Sequence, residues 1–330
     1  HYDNIYSISN QIKNISSIYD SKFIFNTGDN FYYCGITNVN DYQVNTDYIS
    51  LFNNLNLPWY NTLGNHDYGY NVSAQIELSN IISNWIMDER YYIRKIEIID
   101  KENKKIEIYG IFIDTNPCIK DYINDNPDYW DPCGSEFPTC SLHNTNDDFE
   151  EECKFHENII KQNCSNQYEW FYENIKKITD IKNDNREKNI ATWIIVVGHH
   201  PSYEIDEMPF YKYIDLYADV YLNGHEHLLN QYMMNGKNKY ITTGAGGMVS
   251  IYNSRNMKKY KRKGNLLRGT RTRPSTSTIT NQDYRIDYTK KWEKKIAGFT
   301  LHQFNNNGKE MITKYIDFQG NILYNFTTYL

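Results

Sequence analysis

Residues 22–32 read Lys22-Phe23-Ile24-Phe25-Asn26-Thr27-Gly28-Asp29-Asn30-Phe31-Tyr32. A short apolar run ends in Gly-Asp, the pattern of a buried strand handing over to a tight loop that carries an oxygen ligand. Three other segments repeat the design. Trp59 to Leu63 ends at Gly64-Asn65-His66-Asp67, Thr192 to Val197 at Gly198-His199-His200-Pro201, and Asp219 to Leu222 at Tyr221-Leu222-Asn223-Gly224-His225-Glu226-His227. In an α/β sheet the loops at the carboxyl ends of the strands converge on one crevice, so residues distant in sequence meet there. Glycine ahead of each ligand lets the backbone turn tightly and approach closely.

The rest of the chain supports an alternating α/β pattern. Val72, Ile76, Ile81, Ile82 and Trp85 approximate a helical stripe, as do Phe171, Ile175 and Ile178. Tyr92 to Ile98 and Ile106 to Ile113 flank a polar turn and read as a hairpin. The run Thr192 to Val197 has no polar interruption, as expected of a strand covered on both faces. Tyr240 to Thr243 reads as a further strand. Phe299 to Phe304, Met311 to Ile316 and Ile322 to Phe326 read as a closing meander, with turns at 306–308 and 319–320. The expectation is a single domain over 1–330, with a Cys-rich surface insertion at 117–165 and a polar, basic loop at 249–292. From Arg255 to Arg273 that loop carries nine Lys/Arg and no acid. It reads as a solvated loop, with recruitment of a polyanionic partner as the alternative.

Composition narrows the function. The 330 residues are 40% hydrophobic and 23% charged, which excludes wholesale disorder. No apolar run is long enough for a membrane span. A net charge of −6 argues against a general nucleic-acid binder. The 31 tyrosines, with abundant Asn, Ile and Lys, are read as codon bias. The chain opens on His1, so its first residues say nothing about a leader. Six cysteines (Cys34, Cys118, Cys133, Cys140, Cys153, Cys164) and sequons at Asn14, Asn71, Asn163 and Asn325 point to the secretory route. None of the cysteine spacings suits a zinc ribbon, so disulfides are expected, with 15 pairings open.

Asp, Asn, Tyr and three His form a mixed oxygen and nitrogen set suited to transition metals. His225 and His227 are two residues apart, so their rings can address two neighbouring ions, and the two oxygens of Asp29 can bridge them. Two ions roughly 3.5–4 Å apart clamp the attacking and leaving oxygens of a phosphoryl displacement. One Gly-His pair alone would be an ordinary loop; four such motifs in this order are not.

On these residues the chain resembles the calcineurin-like metallophosphoesterases. Tyr32 in Gly28-Asp29-x-x-Tyr32 makes it most similar to the purple acid phosphatases of the small tartrate-resistant type. The stretches GDNFYYCG, LPWYNTLGNHDYGYNVSAQI, IFIDTN, GHHP, YLNGHEH, ITTGAGG, GFTLHQF and GKEMITKYIDFQGNILY carry that similarity. It implies a four-layer α/β sandwich, with two mixed β-sheets flanked by helices. It also implies hydrolysis of phosphate monoesters, small-molecule or phosphoprotein, by a metal-bound hydroxide at a dinuclear centre of Fe(III) plus a divalent ion (Fe, Zn or Mn). By matching position, Asp29 would bridge, Tyr32 and His227 would hold iron, and Asn65, His199 and His225 would hold the divalent ion. His66 would serve as general acid or stabilise the leaving oxygen, with a hydrogen-bonding role in the surrounding shell as its alternative. His200 would contact substrate or, equally, serve structure beside Pro201; Asp67 would orient a neighbour. Gly244-Ala245-Gly246 would be the small-residue turn near the pocket.

The resemblance also implies an earlier strand ending in Asp-x-Gly, whose Asp is a further iron ligand. Nothing between His1 and Asp29 matches it. The expectation is a sheet short of its first strand and an iron site with Asp29, Tyr32 and His227 only, the native protein carrying the segment ahead of His1. If the chain starts here, weak iron binding and poor folding are expected. Cys118 lacks its usual partner position and is expected to pair within 133–164. By analogy with the family's loop at the site mouth, the insertion could gate the pocket. The expected setting is secreted or an acidic vacuolar or lysosome-like lumen, and the expected state a monomer. Two other readings stand beside this one: an inactive scaffold or binding paralogue of the same fold, and a phosphodiesterase or nucleotidase of the superfamily.

Overall fold

The computed structural model describes residues 3–100, 103–124, 131–133, 140, 152–249, 276–281 and 284–330. Its largest sheet contains β4 (Tyr92–Ile99), β5 (Lys105–Phe112), β6 (Ala191–Val197), β7 (Val220–Asn223), β8 (Leu229–Met234), β9 (Lys237–Thr243), β10 (Thr276–Asn281) and β11 (Tyr284–Lys294). The strand order is β10-β11-β8-β9-β7-β6-β5-β4. The middle strands β5, β6, β7 and β9 run parallel, and both flanks are antiparallel. A parallel interior buried on both faces is what the apolar run 192–197 requires. Along β6 the side chains divide by period two. Trp193, Ile195 and Val197 enter one core and Ile194 and Val196 the other.

The second core is closed by α6 (Cys164–Glu187) and α7 (Phe210–Tyr217). Phe171, Ile175 and Ile178 of α6 are buried there, the stripe read from the sequence. Asn163 caps α6 by accepting from the Asn166 N–H at 3.0 Å.

The first core is closed by two small sheets in place of one mixed sheet. One is parallel, formed by β1 (Ile24–Asn26), β2 (Trp59–Asn61) and β3 (Trp85–Ile86). The other is antiparallel, formed by β12 (Gly298–Asn305), β13 (Glu310–Asp317) and β14 (Ile322–Tyr329). Trp193 locks the meander to the large sheet. Its indole N–H donates to Gly308 O at 2.7 Å and its ring meets Phe304 edge-on. The remaining helices are α1 (Asp3–Tyr19), α2 (Ser50–Phe52), α3 (Val72–Glu77), α4 (Lys120–Ile123) and α5 (Phe155–Ile160).

Among the described residues β1 pairs only with β2, and β12 only with β13. Between their other edges runs a cavity of about 710 Å³, lined by Ile24, Phe304, Ile195, Leu222, and Ile8 and Ile12 of α1.

Three sequence readings are corrected. The stripe 72–85 is helical only through Asn80, and Trp85 lies in β3, its indole N–H bonded to Gln75 O at 2.8 Å. The segment assigned to a loop at 249–292 contributes β10 and most of β11 to the large sheet; the basic run 255–273 lies outside the described residues. The distal end of the insertion is not all surface, because Phe155 and Ile159 of α5 are buried in the core. Its middle lies mostly outside the described residues. Disulfides join Cys34 to Cys140, Cys118 to Cys164 and Cys133 to Cys153, so Cys118 pairs within the expected range. Among the described residues no helix is long and apolar enough to cross a membrane.

Candidate metal centre

Parallel strands point their carboxyl ends the same way, and the four motifs begin where β1, β2, β6 and β7 stop. Asp29 leaves β1 at φ +56°, and His225 follows β7 at φ +62°. Non-glycine residues in the left-handed region cost about 1–3 kcal/mol, and such strain concentrates at functional sites. The β1 and β2 loops touch through Gly64, where a Cβ would overlap the backbone nitrogen and Oδ1 of Asp29. A Cβ on Gly244 would overlap Glu226 O, so the small-residue turn does permit a close approach.

The six expected ligands meet. Tyr32 donates its hydroxyl to Asp29 Oδ2 at 2.9 Å and lies 3.1 Å from His227 Nε2. Asn65 Oδ1 is 2.9 Å from His199 Nε2 and 3.1 Å from His225 Nδ1. His199 Nε2 is also 3.3 Å from Asp29 Oδ2. Asp29 thus touches both halves of the set, as a bridging carboxylate must.

Hydrogen bonds fix the tautomers. A carbonyl only accepts, so the 2.8 Å contact between His199 Nδ1 and Thr27 O puts the ring proton on Nδ1. Nε2 faces the Asn65 and Asp29 oxygens and is the atom a metal ion would take, the arrangement by which a backbone carbonyl prepares a metal-binding histidine. His66 behaves likewise: Nδ1 donates to Tyr33 O at 2.7 Å, and its backbone N–H donates to Asp29 Oδ1 at 3.0 Å. His225 Nε2 lies 3.6 Å from Glu204 Oε2.

Electrostatics favour cations here. Burial alone would raise the Asp29 carboxyl, but His199, His66 and His225 outweigh it and hold the group well below the usual carboxylate range. Burial pushes Tyr32 well above the ordinary phenol value, with the Asp29 charge adding to it. Burial lowers His225, with His199 adding to the effect, and lowers His227 against the opposing Asp29 charge. The donors are a carboxylate, a phenol, an amide oxygen and three imidazoles. They fit a pair of transition-metal ions by chemistry as well as position.

Around them, Asp67 is a positioning hub. It accepts from the N–H groups of Gly64 at 2.8 Å, Asn30 at 3.0 Å and Phe31 at 3.2 Å, and from Gln75 Nε2 at 3.0 Å. The His66 ring centroid is 4.4 Å from that of Tyr32. His200 joins the cluster, 4.3 Å from the His225 ring, but both its nitrogens are engaged. Nδ1 pairs with Thr115 Oγ1 at 2.7 Å and Nε2 with the Tyr122 hydroxyl at 3.1 Å.

No motif singles out Thr27, Tyr33 or Tyr122. Glu204 could have been suspected as a carboxylate on the same loop as His199. The slot ends against Asp29, Tyr32, His225 and His227, so the centre is open to that side as well.

The calcineurin-like phosphoesterase family model matches residues 1–229. Purple acid phosphatase 7 of Arabidopsis thaliana is 26% identical over 272 residues, covering 77% of this chain and 70% of that protein. Purple acid phosphatase 3 of the same plant is 26% identical, with 57% of its length covered. Human tartrate-resistant acid phosphatase type 5 is 24% identical over 326 residues, covering 95% of this chain and 81% of that protein. Among solved structures, GAP50, described as the anchor in the inner membrane complex of Plasmodium, superposes with a TM-score of 0.60 at 18% identity. The match covers 100% of this chain and 85% of that one. That likeness concerns the fold alone.

Proposed function

The chain belongs to the calcineurin-like phosphoesterase family, and on that premise we propose that it is an acid phosphatase of the purple type, hydrolysing phosphate monoesters. The observation that carries the reading is Tyr32, whose hydroxyl is within 3.1 Å of both Asp29 Oδ2 and His227 Nε2. A phenol inside the ligand set suits a ferric ion and would be redundant beside magnesium or calcium. Tyr32 and His227 would hold iron; Asn65, His199 and His225 would hold a divalent iron, zinc or manganese; Asp29 would join the two.

When bound, two such ions supply Lewis acidity, lowering the pKa of water and neutralising phosphoryl oxygens. The protein's own side chains do the remainder. Asp67 and Asn30 fix the Asp29 loop, so the carboxylate is preorganised. The Thr27 carbonyl keeps His199 in its ligand tautomer. His66, with its proton on Nδ1, would protonate or stabilise the leaving oxygen through Nε2. Burial lowers the His66 pKa, with the Asp29 charge opposing, so its protonated form needs acid conditions. Three disulfides support an oxidising compartment, which agrees with an acidic secretory or vacuolar lumen.

A second reading is a binding surface without catalysis, with the slot that meets Asp29, Tyr32, His225 and His227 as the place where a partner segment would enter. It also draws on the likeness in fold to a protein described as an anchor. One preparation separates the two readings. Metal analysis should give two ions per chain, with a visible tyrosinate band that Tyr32→Phe removes and phosphatase activity at acid pH. A colourless, metal-free and inactive protein would support the binding surface instead.

A further inference from the structure

We propose that Tyr122 is a specificity-determining residue of this site, donating its hydroxyl to a non-bridging oxygen of the bound phosphate monoester. The inference rests on the phosphatase reading above and assigns one wall of its pocket to the insertion. Tyr122 lies in α4, just after Cys118, in the stretch of the insertion that reaches His200, the neighbour of the ligands His199 and His225. Its hydroxyl is 3.1 Å from His200 Nε2, and the His200 ring is 4.3 Å from His225 and 4.9 Å from His199. His66 stands beside Tyr32, on the iron side; Tyr122 stands beside His200, whose ring neighbours His225 on the side of the divalent ion. A phosphoryl group spanning the two would have a donor at each flank.

The placement is rigid, which a specificity contact requires. The Cys118–Cys164 disulfide ties the start of this stretch to α6. Cys118 O accepts from the N–H groups of Asp206 at 3.2 Å and Glu207 at 3.0 Å, and Asp206 Oδ1 accepts from Lys120 N at 2.9 Å. The Tyr122 ring packs edge-on against Phe155 at 5.2 Å, and its carbonyl meets His156 Nδ1 at 3.1 Å. His200, 1% exposed and held through Thr115, sets the direction of the hydroxyl.

Tyr122→Phe removes only the oxygen and keeps the ring against Phe155. Inorganic phosphate is titrated calorimetrically into the metal-loaded full chain and its variant. Metal content and melting temperature are measured on both. The variant should bind phosphate about ten- to a hundredfold more weakly, the usual worth of one hydrogen bond to a charged group. It should raise KM for a small aryl phosphate by a similar factor, with kcat within about twofold and metal content unchanged. Equal phosphate affinity overturns the assignment, as does a loss traced wholly to lower metal content or stability. If the wild-type chain loads metal but binds no phosphate, the phosphatase reading falls and takes this assignment with it. If the wild type binds and hydrolyses but the variant matches it, Tyr122 alone falls.

Discussion

The amide oxygen of Asn65 lies 2.9 Å from Nε2 of His199. One residue follows β2 of the small parallel sheet and the other follows β6 of the large sheet, so this contact joins the two layers at their carboxyl edge. Asn65 is 3% exposed and has His225 Nδ1 at 3.1 Å on its other side. His225→Ala should therefore remove one ion per chain and lower kcat/KM at least about a hundredfold. Elemental analysis after gel filtration, run beside the assay, checks both; retention of both ions would contradict the assignment.

His66 is held for chemistry at Nε2. His66→Ala should lower kcat by about 10²–10⁴, the range for a positioned acid, and leave KM nearly unchanged. In the wild type, activity that needs the protonated ring should rise as pH falls through the lowered His66 pKa. The variant should lose that limb. A pH–rate profile of both proteins checks it, and an identical shape would exclude His66 as the acid.

Away from the centre, Glu107 on β5 offers a pH test of stability. Burial alone would raise its carboxyl, but Lys105, Lys95 and Asn185 outweigh it and bring the pKa down to about 2. The folded value is below the unfolded one, so the stabilisation is present above about pH 4.5 and lost as pH falls toward 2. Because both lysines are more than a third exposed, screening limits the contribution to about 2 kcal/mol. Urea melts at pH 6 and pH 3 should show the Glu107→Gln protein losing less stability between them than the wild type.

Cys34 follows Tyr32 by two residues, and its disulfide to Cys140 spans 106 residues. Replacing both cysteines by serine should cost about 2–5 kcal/mol in the unfolding free energy. It should also lower iron retention more than retention of the divalent ion, because Cys34 anchors the Tyr32 loop. Equal loss of the two ions on dialysis would show that the bond serves stability only.

Much of this was legible in the chain. The strands before Asp29, Asn65, His199 and His225 announce themselves as apolar runs closed by glycine, most clearly β6 and β7, because parallel strands buried on both faces leave no polar face to confuse the pattern. The hairpin β4–β5 and the meander β12–β14 showed through alternation and turn residues. What escaped detection depends on tertiary partners. Trp85 continues an apparent helical stripe until its pairing with β2 pulls it into a strand. Strands β10 and β11 are polar enough to pass for loop, and become strands through their ladders to each other and to β8. Tyr122 belongs to no motif; only the Cys118–Cys164 bond and the Asp206 loop carry it to the histidines.

The gap between β1 and β12 bears on how the protein behaves in a test tube. Each bank of the gap is a rim of backbone donors and acceptors that no neighbouring strand covers among the described residues. Such rims invite any extended peptide to zip in alongside. Concentrated stocks should therefore form dimers and larger species on storage. Anything that seats a ribbon of chain in the gap should slow that association.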